Sequence, residues 1–270
     1  LLARDPFGVK PLYYFLNQNG IAFASEIKAL IPLIPSLKSI SRNSFGDLDL
    51  QAINRYLTFL WCPGDSTPIQ TIKKLEPGYM ASVSKDFNND FHKWYFPSLF
   101  VSDRIKVKES KDEIISQTER LLRIAVHRQL ISDAPLGSFL SGGLDSSSIV
   151  KLASEIVPGI PCFTIQLSSK SNDGFADDLP YAKIVAKHLN VPLEIVSINS
   201  DLLARSIERM ILTLEEPLAD PAALNVFYIS QFAREQGIKV LLSGAGADDI
   251  FTGYRRHIAI KNEYLWKWIP

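Results

Sequence analysis

The sequence predicts an α/β protein in which a parallel sheet is preceded by a smaller α+β module. From residue 111 onward, apolar runs of strand length alternate with segments of helical periodicity, an order typical of a parallel sheet covered by helices on both faces. Two of these runs lead into glycine-containing loops, 141–146 and 243–249. In contrast, residues 1–85 contain short apolar runs separated by turn residues, which favours small antiparallel sheets.

Composition narrows the class of protein. Apolar residues make up 46% of the 270 residues and charged residues 21%, a balance typical of a soluble globular protein. The formal net charge is zero, so nothing indicates nucleic acid as a partner. No apolar run has the length of a membrane span and no signal peptide is recognisable, so we expect no membrane partner. Cys62 and Cys162 are far apart in sequence, and we interpret them as reduced thiols of a cytoplasmic protein.

The first 85 residues predict two hairpins and two helices. Apolar runs on either side of Asn19-Gly20 favour a hairpin over 11–24. Ser25 is a candidate N-cap of a short helix, and the spacing of apolar residues predicts a helix over 48–60. Pro77-Gly78 between apolar runs predicts a second hairpin over 72–83. These elements carry no recognisable chemistry of their own.

From residue 110 onward, the sequence predicts the individual helices and strands that alternate along the chain. Ser110 with Glu113 forms a possible capping box in front of a helix. The predicted strands are 136–140, 161–167, 193–198 and 238–242, and the predicted helices after the first are 180–189, 202–214 and 222–235. In such sheets a ligand binds at the carboxyl ends of the strands, near the point where the strand order reverses.

The first glycine loop follows the strand over 136–140. Ser141-Gly142-Gly143 permits a tight turn, and the helix that follows offers free N–H groups and a positive dipole end to an anion such as phosphate. No lysine follows the glycines, so the loop is not a Walker A motif. Asp145 is placed to hold a Mg²⁺ that carries a polyphosphate. The glycines alone would suit an ordinary tight turn equally well.

The second loop, Ser243 to Asp249, follows the last strand and contains two glycines and two aspartates. It is also compatible with a plain turn at a helix start. If both loops flank one crevice, Asp145 and Asp248 could face each other across a Mg²⁺–polyphosphate complex, with phosphate oxygens and water completing the octahedron.

Several stretches resemble known families. Ser141-Gly-Gly-Leu-Asp-Ser-Ser147 resembles the pyrophosphate loop (PP-loop) of enzymes that cleave ATP between the α and β phosphates. The chain is similar, over nearly its whole length and in the same order, to glutamine-dependent asparagine synthetases. The similar stretches are RDPFGVKPLYY (4–14), FASEIKAL (23–30), LEPG (75–78), DDLPYA (177–182), EEPLADP (215–221) and SGAGADDIFTGY (243–254).

This resemblance implies a domain organisation. Residues 1–85 would form the C-terminal part of an N-terminal-nucleophile glutaminase (class II amidotransferase) domain, 86–110 a linker, and 111–270 a PP-loop, adenine nucleotide α-hydrolase-like, ATP-binding synthetase domain truncated at its C-terminus. The nucleophilic cysteine and glutamine-binding residues of the family are not in this chain, and Cys62 lies in the wrong context to replace the nucleophile. The chain begins without methionine and ends within an aromatic stretch, so we expect a fragment.

The resemblance also implies an activity and its residues. The family is a carbon–nitrogen ligase of asparagine biosynthesis. It adenylates aspartate to β-aspartyl-AMP with ATP and Mg²⁺, and transfers glutamine-derived ammonia to give asparagine, AMP and pyrophosphate. Asp145 and Asp248 would be the metal ligands and catalytic residues. The residues expected to contact the nucleotide are Leu140, Ser141, Gly142, Gly143, Asp145, Ser146, Ile165, Ser243 and Gly244.

Two departures from the family pattern leave alternatives open. Ala245 stands where the family usually has an acid linked to handling of the acyl-adenylate or its nucleophile, which puts the acceptor carboxylate in doubt more than ATP binding. Asp249 replaces the usual glutamate, a milder change. An enzyme with another acceptor, a lactam-forming enzyme and a non-catalytic nucleotide-binding fragment therefore remain alternatives. The assembly state also stays open, with a homodimer among the possibilities.

Overall fold

The fold was analysed in a computed structural model, which describes residues 1–18, 20–34, 47–84, 89–96, 109–167 and 178–263. Asp177, the first residue of the similar stretch 177–182, lies outside the described residues. The chain divides into two compact units. The first consists of Leu1–Lys106 with Ile207–Ala223, and the second of Val107–Ser206 with Leu224–Pro270.

The first unit contains two small antiparallel sheets. Their strands pair in the orders β1-β5-β6 and β3-β2-β4. In chain order the elements are β1 (Leu2–Ala3), β2 (Tyr13–Asn17), β3 (Gly20–Ala24), α1 (Ile27–Leu30) followed by a 3-10 turn (Ile31–Leu33), α2 (Leu50–Phe59), β4 (Lys73–Lys74), β5 (Tyr79–Val83) and β6 (Asn89–Lys93). A core that includes Tyr13, Phe15, Ile27, Leu30, Ile34 and Ile72 packs β2 and its neighbours together.

The structure confirms some local predictions in this unit and corrects others. The hairpin over 11–24 forms as β2–β3, and α2 lies within the helix predicted over 48–60. The predicted hairpin over 72–83 is wrong, because β4 pairs with β2 whereas β5 pairs with β1 and β6. Pro77-Gly78 does make a turn, but long-range partners pair with the strands on either side of it. Ser25 is not an N-cap either, since Glu26 holds that position without a side-chain bond. Strand β6 lies within the stretch 86–110, whose role as a linker stays a prediction.

The motif that begins at Arg4-Asp5 holds a loop in shape. The Asp5 carboxylate accepts hydrogen bonds from the backbone N–H groups of Phe7, Val9 and Lys10 at 2.9–3.2 Å. Arg4 donates to the carbonyl oxygens of Lys10, Leu75 and Gly8. Partial burial raises the pKa of Asp5, but the N–H donors of Lys10, Val9 and Phe7 outweigh it and lower that pKa below 3.8. This part of the resemblance therefore reflects a structural loop.

The second unit contains a four-stranded parallel sheet in the order β10-β7-β8-β9. In chain order its elements are α3 (Lys111–Gln129), β7 (Leu136–Phe139), α4 (Leu144–Ser154), β8 (Cys162–Leu167), α5 (Leu179–Leu189), β9 (Leu193–Ile198), α6 (Ser200–Thr213, shared with the first unit), α7 (Ala222–Glu235, which begins in the first unit), β10 (Val240–Leu242), α8 (Ala247–Phe251) and α9 (Arg255–Lys261). The predicted fold class is confirmed, and so is the capping box of Ser110 and Glu113.

Helices cover both faces of this sheet, as the alternation predicts. Cys162 of β8 lies in a core with residues of α3, α4 and α5, while the next residue, Phe163, packs against Ile229 and Ala233 of α7. Successive side chains of a strand point to opposite faces, so the two cores lie on the two sides of the sheet. Burial raises the pKa of the Cys162 thiol to about 12, and both cysteines are free and buried. Among the described helices, none is long and apolar enough to cross a membrane.

Candidate active site

The two glycine loops start side by side at the carboxyl edge of the sheet. Strand β7 is followed by β8 and β9 in one direction, whereas β10 lies on the other side of β7. The strand order therefore reverses between β7 and β10, and this is the position at which open α/β sheets bind ligands. Leu242 at the end of β10 is in register with Ser138, one residue before the end of β7. Both loops leave the sheet from this point.

Serine hydroxyl groups hold the first loop in shape. The Oγ atoms of Ser141 and Ser146 lie 3.0 Å apart, and Ser146 Oγ also accepts from the backbone N–H of Ser141 at 3.3 Å. Ser141 Oγ accepts from the N–H of Gly143 at 3.3 Å. Gly143 precedes α4, and no side chain caps this helix. The first turn of α4 therefore keeps its N–H groups and dipole end for an anion.

Gly142 is required for packing, and its contact with the nucleotide stays a prediction. It has φ +82°, and a Cβ there would lie 2.4 Å from the backbone of both Tyr181 and Ala182. The first turn of α5 thus presses directly on the first loop. By contrast, a Cβ at Gly143 would meet only Ser141 Oγ, at 3.3 Å. Of the two glycines, Gly143 is the one that leaves space for phosphate.

A serine hydroxyl group also holds the second loop. Ser243 Oγ accepts from the N–H of Ala245 at 3.1 Å, and Gly246, at φ +91°, precedes α8. Ala245 itself is exposed. The Asp248 side chain packs on Gly253, where a Cβ would lie 1.8 Å from Asp248 Oδ1. Gly253 in the similar stretch 243–254 therefore makes room for the carboxylate predicted to bind metal.

Gly244 joins the two loops. A Cβ at Gly244 would lie 2.8 Å from the backbone N of Ser146, 2.9 Å from the carbonyl carbon of Asp145 and 3.1 Å from Asp145 Cβ. The backbone of the second loop thus rests on the start of α4, and only glycine permits this approach. The structure brings together Ser141–Ser146 and Ser243–Gly244, which the sequence places about a hundred residues apart.

Two other predicted nucleotide contacts lie deeper in the fold. The Leu140 side chain is 1% exposed and lies in the core beneath α4, and its N–H donates to the carbonyl oxygen of Phe163. A nucleotide contact at Leu140 would therefore be made by its main-chain atoms. Ile165 lies on β8 in register with Val196 and packs in the core beneath α7. Its contact with an adenine ring stays a prediction.

Sequence reasoning missed two features of the site. One is the close packing of Tyr181 and Ala182 against the first loop, which no local sequence pattern indicates. The other is the contact of Gly253 with Asp248, two residues that stand five positions apart within one motif. Both determine the shape of the loops rather than bind a ligand directly.

The donor set fits Mg²⁺ that is shared with phosphate. Asp145 and Asp248 would supply the hard oxygen ligands that Mg²⁺ prefers, and this ion commonly takes one or two carboxylates with phosphate oxygens and water. Over the ranges that the structure describes, no group of three or more His, Cys, Asp or Glu side chains forms a metal cage. Two carboxylates, together with phosphate oxygens and water, would suit a metal that arrives with a polyphosphate.

Comparison with known proteins gives two family matches. Residues 117–270 match the family model described as asparagine synthase, and residues 1–95 match that of a glutamine amidotransferase domain. Asparagine synthetase [glutamine-hydrolyzing] 1 of Bacillus subtilis is 33% identical over 252 residues, 93% of this chain and 37% of that protein. A putative asparagine synthetase of Mycobacterium tuberculosis is 31% identical over 93% of this chain and 37% of that protein. The amidase chry2 of Gibberella zeae is 26% identical over 94% and 38%. The chain thus spans less than half the length of each of these relatives.

Proposed function

The chain belongs to the asparagine synthase family, and on that premise we propose that it forms part of an ATP-dependent amide-forming ligase. In this proposal the crevice of the two loops activates the side-chain carboxylate of aspartate. A carboxylate oxygen attacks the α-phosphorus of ATP, the bond between that phosphorus and the bridging oxygen breaks, and pyrophosphate leaves. Ammonia from glutamine then attacks the acyl carbon, AMP leaves, and asparagine forms after loss of a proton.

The observation that carries the proposal is the contact of Gly244 with Asp145 and Ser146. It places the second loop on the open N-terminus of α4, at the switch point of the sheet. The N–H groups of that turn and the Ser141 and Ser146 hydroxyls would bind the departing pyrophosphate. Asp145 and Asp248 would hold Mg²⁺, which when bound neutralises charge on the leaving group.

A second candidate function, amide formation on a different carboxylate, is favoured by Ala245. Its methyl group supplies no base for the proton that the attacking amine loses, and it leaves open space where the family carries an acid. The similarity to a protein named amidase is consistent with a change of acceptor. The ATP-cleaving half of the reaction would be the same.

The proposal is tested on the full-length protein with Asp145→Ala. We expect release of AMP in the presence of the correct carboxylic acid to fall about 100-fold, since a charged group at the site of leaving-group charge is lost. Asp201→Ala, an exposed aspartate on α6, is the matched control and should leave the rate unchanged. Full activity of Asp145→Ala would show that the metal assignment is wrong.

A screen of carboxylic acids then separates the two candidates. Release of AMP with aspartate alone supports asparagine formation, whereas release with another acid identifies a different acceptor. The non-catalytic alternative is checked by titrating the folded protein with ATP·Mg²⁺. If no heat of binding is detected, the nucleotide site itself is rejected.

A further inference from the structure

The segment 207–223 belongs to different parts of the molecule by sequence and by structure. It lies within residues 117–270, which match the asparagine synthase model. In the fold, however, it is part of the first unit, together with residues 1–106. Residues 1–95 of that unit match the glutamine amidotransferase domain. A piece of synthase sequence is therefore folded into the amidotransferase-like unit.

Glu216 anchors this segment. One carboxylate oxygen accepts from Tyr13 Oη at 2.9 Å, and the other accepts from Lys74 Nζ at 2.8 Å. Lys74 Nζ also donates to the carbonyl oxygen of Cys62 at 2.5 Å. The Lys74 and Glu216 side chains are only 11% and 17% exposed, so water screens this pair weakly. Burial, and next the charge of Glu216, raises the pKa of Tyr13, which keeps its hydroxyl a donor.

The residues around Glu216 add weaker attachments. Glu215 pairs with Lys28 at 2.9 Å, but the Lys28 side chain is 46% exposed, so this pair contributes little stability. The backbone N–H of Ala219 donates to the carbonyl oxygen of Leu60 at 2.9 Å. Glu216 is thus a largely buried attachment of the segment, and each of its two carboxylate oxygens has a donor.

The anchored segment leads along the chain to the second loop. Asp220 Oδ1 accepts from the N–H of Ala222, the first residue of α7. Helix α7 packs on Phe163 through Ile229 and Ala233, and it is followed directly by β10 and the second loop. Glu216 therefore lies six residues before the first residue of the helix that precedes Ser243–Asp249.

We propose that Glu216 is a positioning residue that ties the amide-forming reaction to the amidotransferase-like unit. This inference rests on the proposed function, because it concerns how glutamine use and amide formation stay in step. The residues that hold Glu216 lie in the amidotransferase match, while the helix that follows it along the chain, α7, precedes β10 and the second loop. Loss of the anchor loosens the start of α7, and glutamine is then hydrolysed without a matching amount of amide product.

The test measures glutamine hydrolysed per amide formed by the full-length enzyme. We expect Glu216→Leu to raise this ratio about five- to tenfold, the size of coupling that a single buried contact carries. Glutamine hydrolysis without ATP should stay within about twofold of wild type. Glu216→Gln, which keeps an acceptor oxygen for Tyr13 Oη but loses the charge that pairs with Lys74, should raise the ratio less than Glu216→Leu, a graded response that a merely disrupted fold would not give. Glu235→Gln, an exposed glutamate at the end of α7, is the matched control.

A second measurement keeps the inference separate from the proposed function. Amide hydrogen exchange over 222–235 should be faster in Glu216→Leu than in wild type, with or without catalysis. An unchanged ratio in an active enzyme overturns the inference. If the wild-type enzyme forms no amide from any acid, the proposed function fails, and unchanged exchange over 222–235 would then overturn the anchor as well.

Discussion

The two glycine loops leave neighbouring parallel strands, but they are fixed in different ways. The first is locked internally by Ser141 and Ser146 and externally by the start of α5 against Gly142. The second has one internal serine bond and exposes Ala245. This difference fits two tasks in the proposed function. The polyphosphate would be common to every reaction and would bind the first loop, whereas the loop that carries Ala245 would vary with the acceptor.

Gly142→Ala should cause the largest loss of stability among the glycine substitutions in the two loops. The new Cβ would overlap the backbone of Tyr181 and Ala182 at 2.4 Å, and alanine is strained at φ +82°. We expect the free energy of unfolding to fall by about 3 kcal/mol or more, since overpacking and backbone strain add. Denaturant unfolding measures this loss. A loss below about 1 kcal/mol would show that α5 does not hold the first loop.

Gly244→Ala tests the contact between the two loops. Its Cβ would press on the backbone of Asp145 and Ser146 at 2.8–2.9 Å, where no flexible side chain can give way. We expect a loss of about 1–3 kcal/mol in unfolding free energy, with weaker ATP·Mg²⁺ binding because Asp145 is displaced. Calorimetric titration checks the binding. Unchanged affinity would mean that the contact of the loops does not matter for the nucleotide.

Gly253→Ala moves only one side chain. Its Cβ would lie 1.8 Å from Asp248 Oδ1, so the carboxylate must rotate, while the backbone stays in place. We expect Mg²⁺ affinity in the presence of ATP to fall about tenfold, as is usual when a group that orients a metal ligand is changed. The Mg²⁺ dependence of ATP binding measures this effect. If the Mg²⁺ dependence of ATP binding is unaltered, Asp248 does not bind the metal.

Gly246→Ala is the smallest change and is a control for Gly142→Ala. Both glycines have positive φ, but no atom lies within 4 Å of a Cβ at Gly246. Only backbone strain remains, and we expect a loss of about 1 kcal/mol in unfolding free energy with ATP binding retained. Thermal unfolding with and without ATP·Mg²⁺ checks both. A loss as large as that of Gly142→Ala would show that strain, not the contact with α5, dominates in both loops.

Much of the second unit could be predicted from the sequence. The strand predicted over 193–198 forms as Leu193–Ile198, and the helix predicted over 222–235 forms as Ala222–Glu235. Their apolar periodicity is a local property that each segment carries with it. In the first unit, the prediction over 72–83 failed because β4 pairs with β2, whereas β5 pairs with β1 and β6, so the two predicted strands do not pair with each other. A turn signal reports where the chain bends and not which strands pair.

By itself the sequence determined the alternation of strands and helices, the two glycine loops and the carboxylates within them. Only the tertiary structure decided that β10 lies beside β7, that Gly244 rests on Asp145, and that Glu216 belongs to the first unit. The reason is physical. Periodicity and turn residues act over a few neighbours, whereas strand order and backbone contact depend on which distant segments bury each other, and no local pattern records that choice.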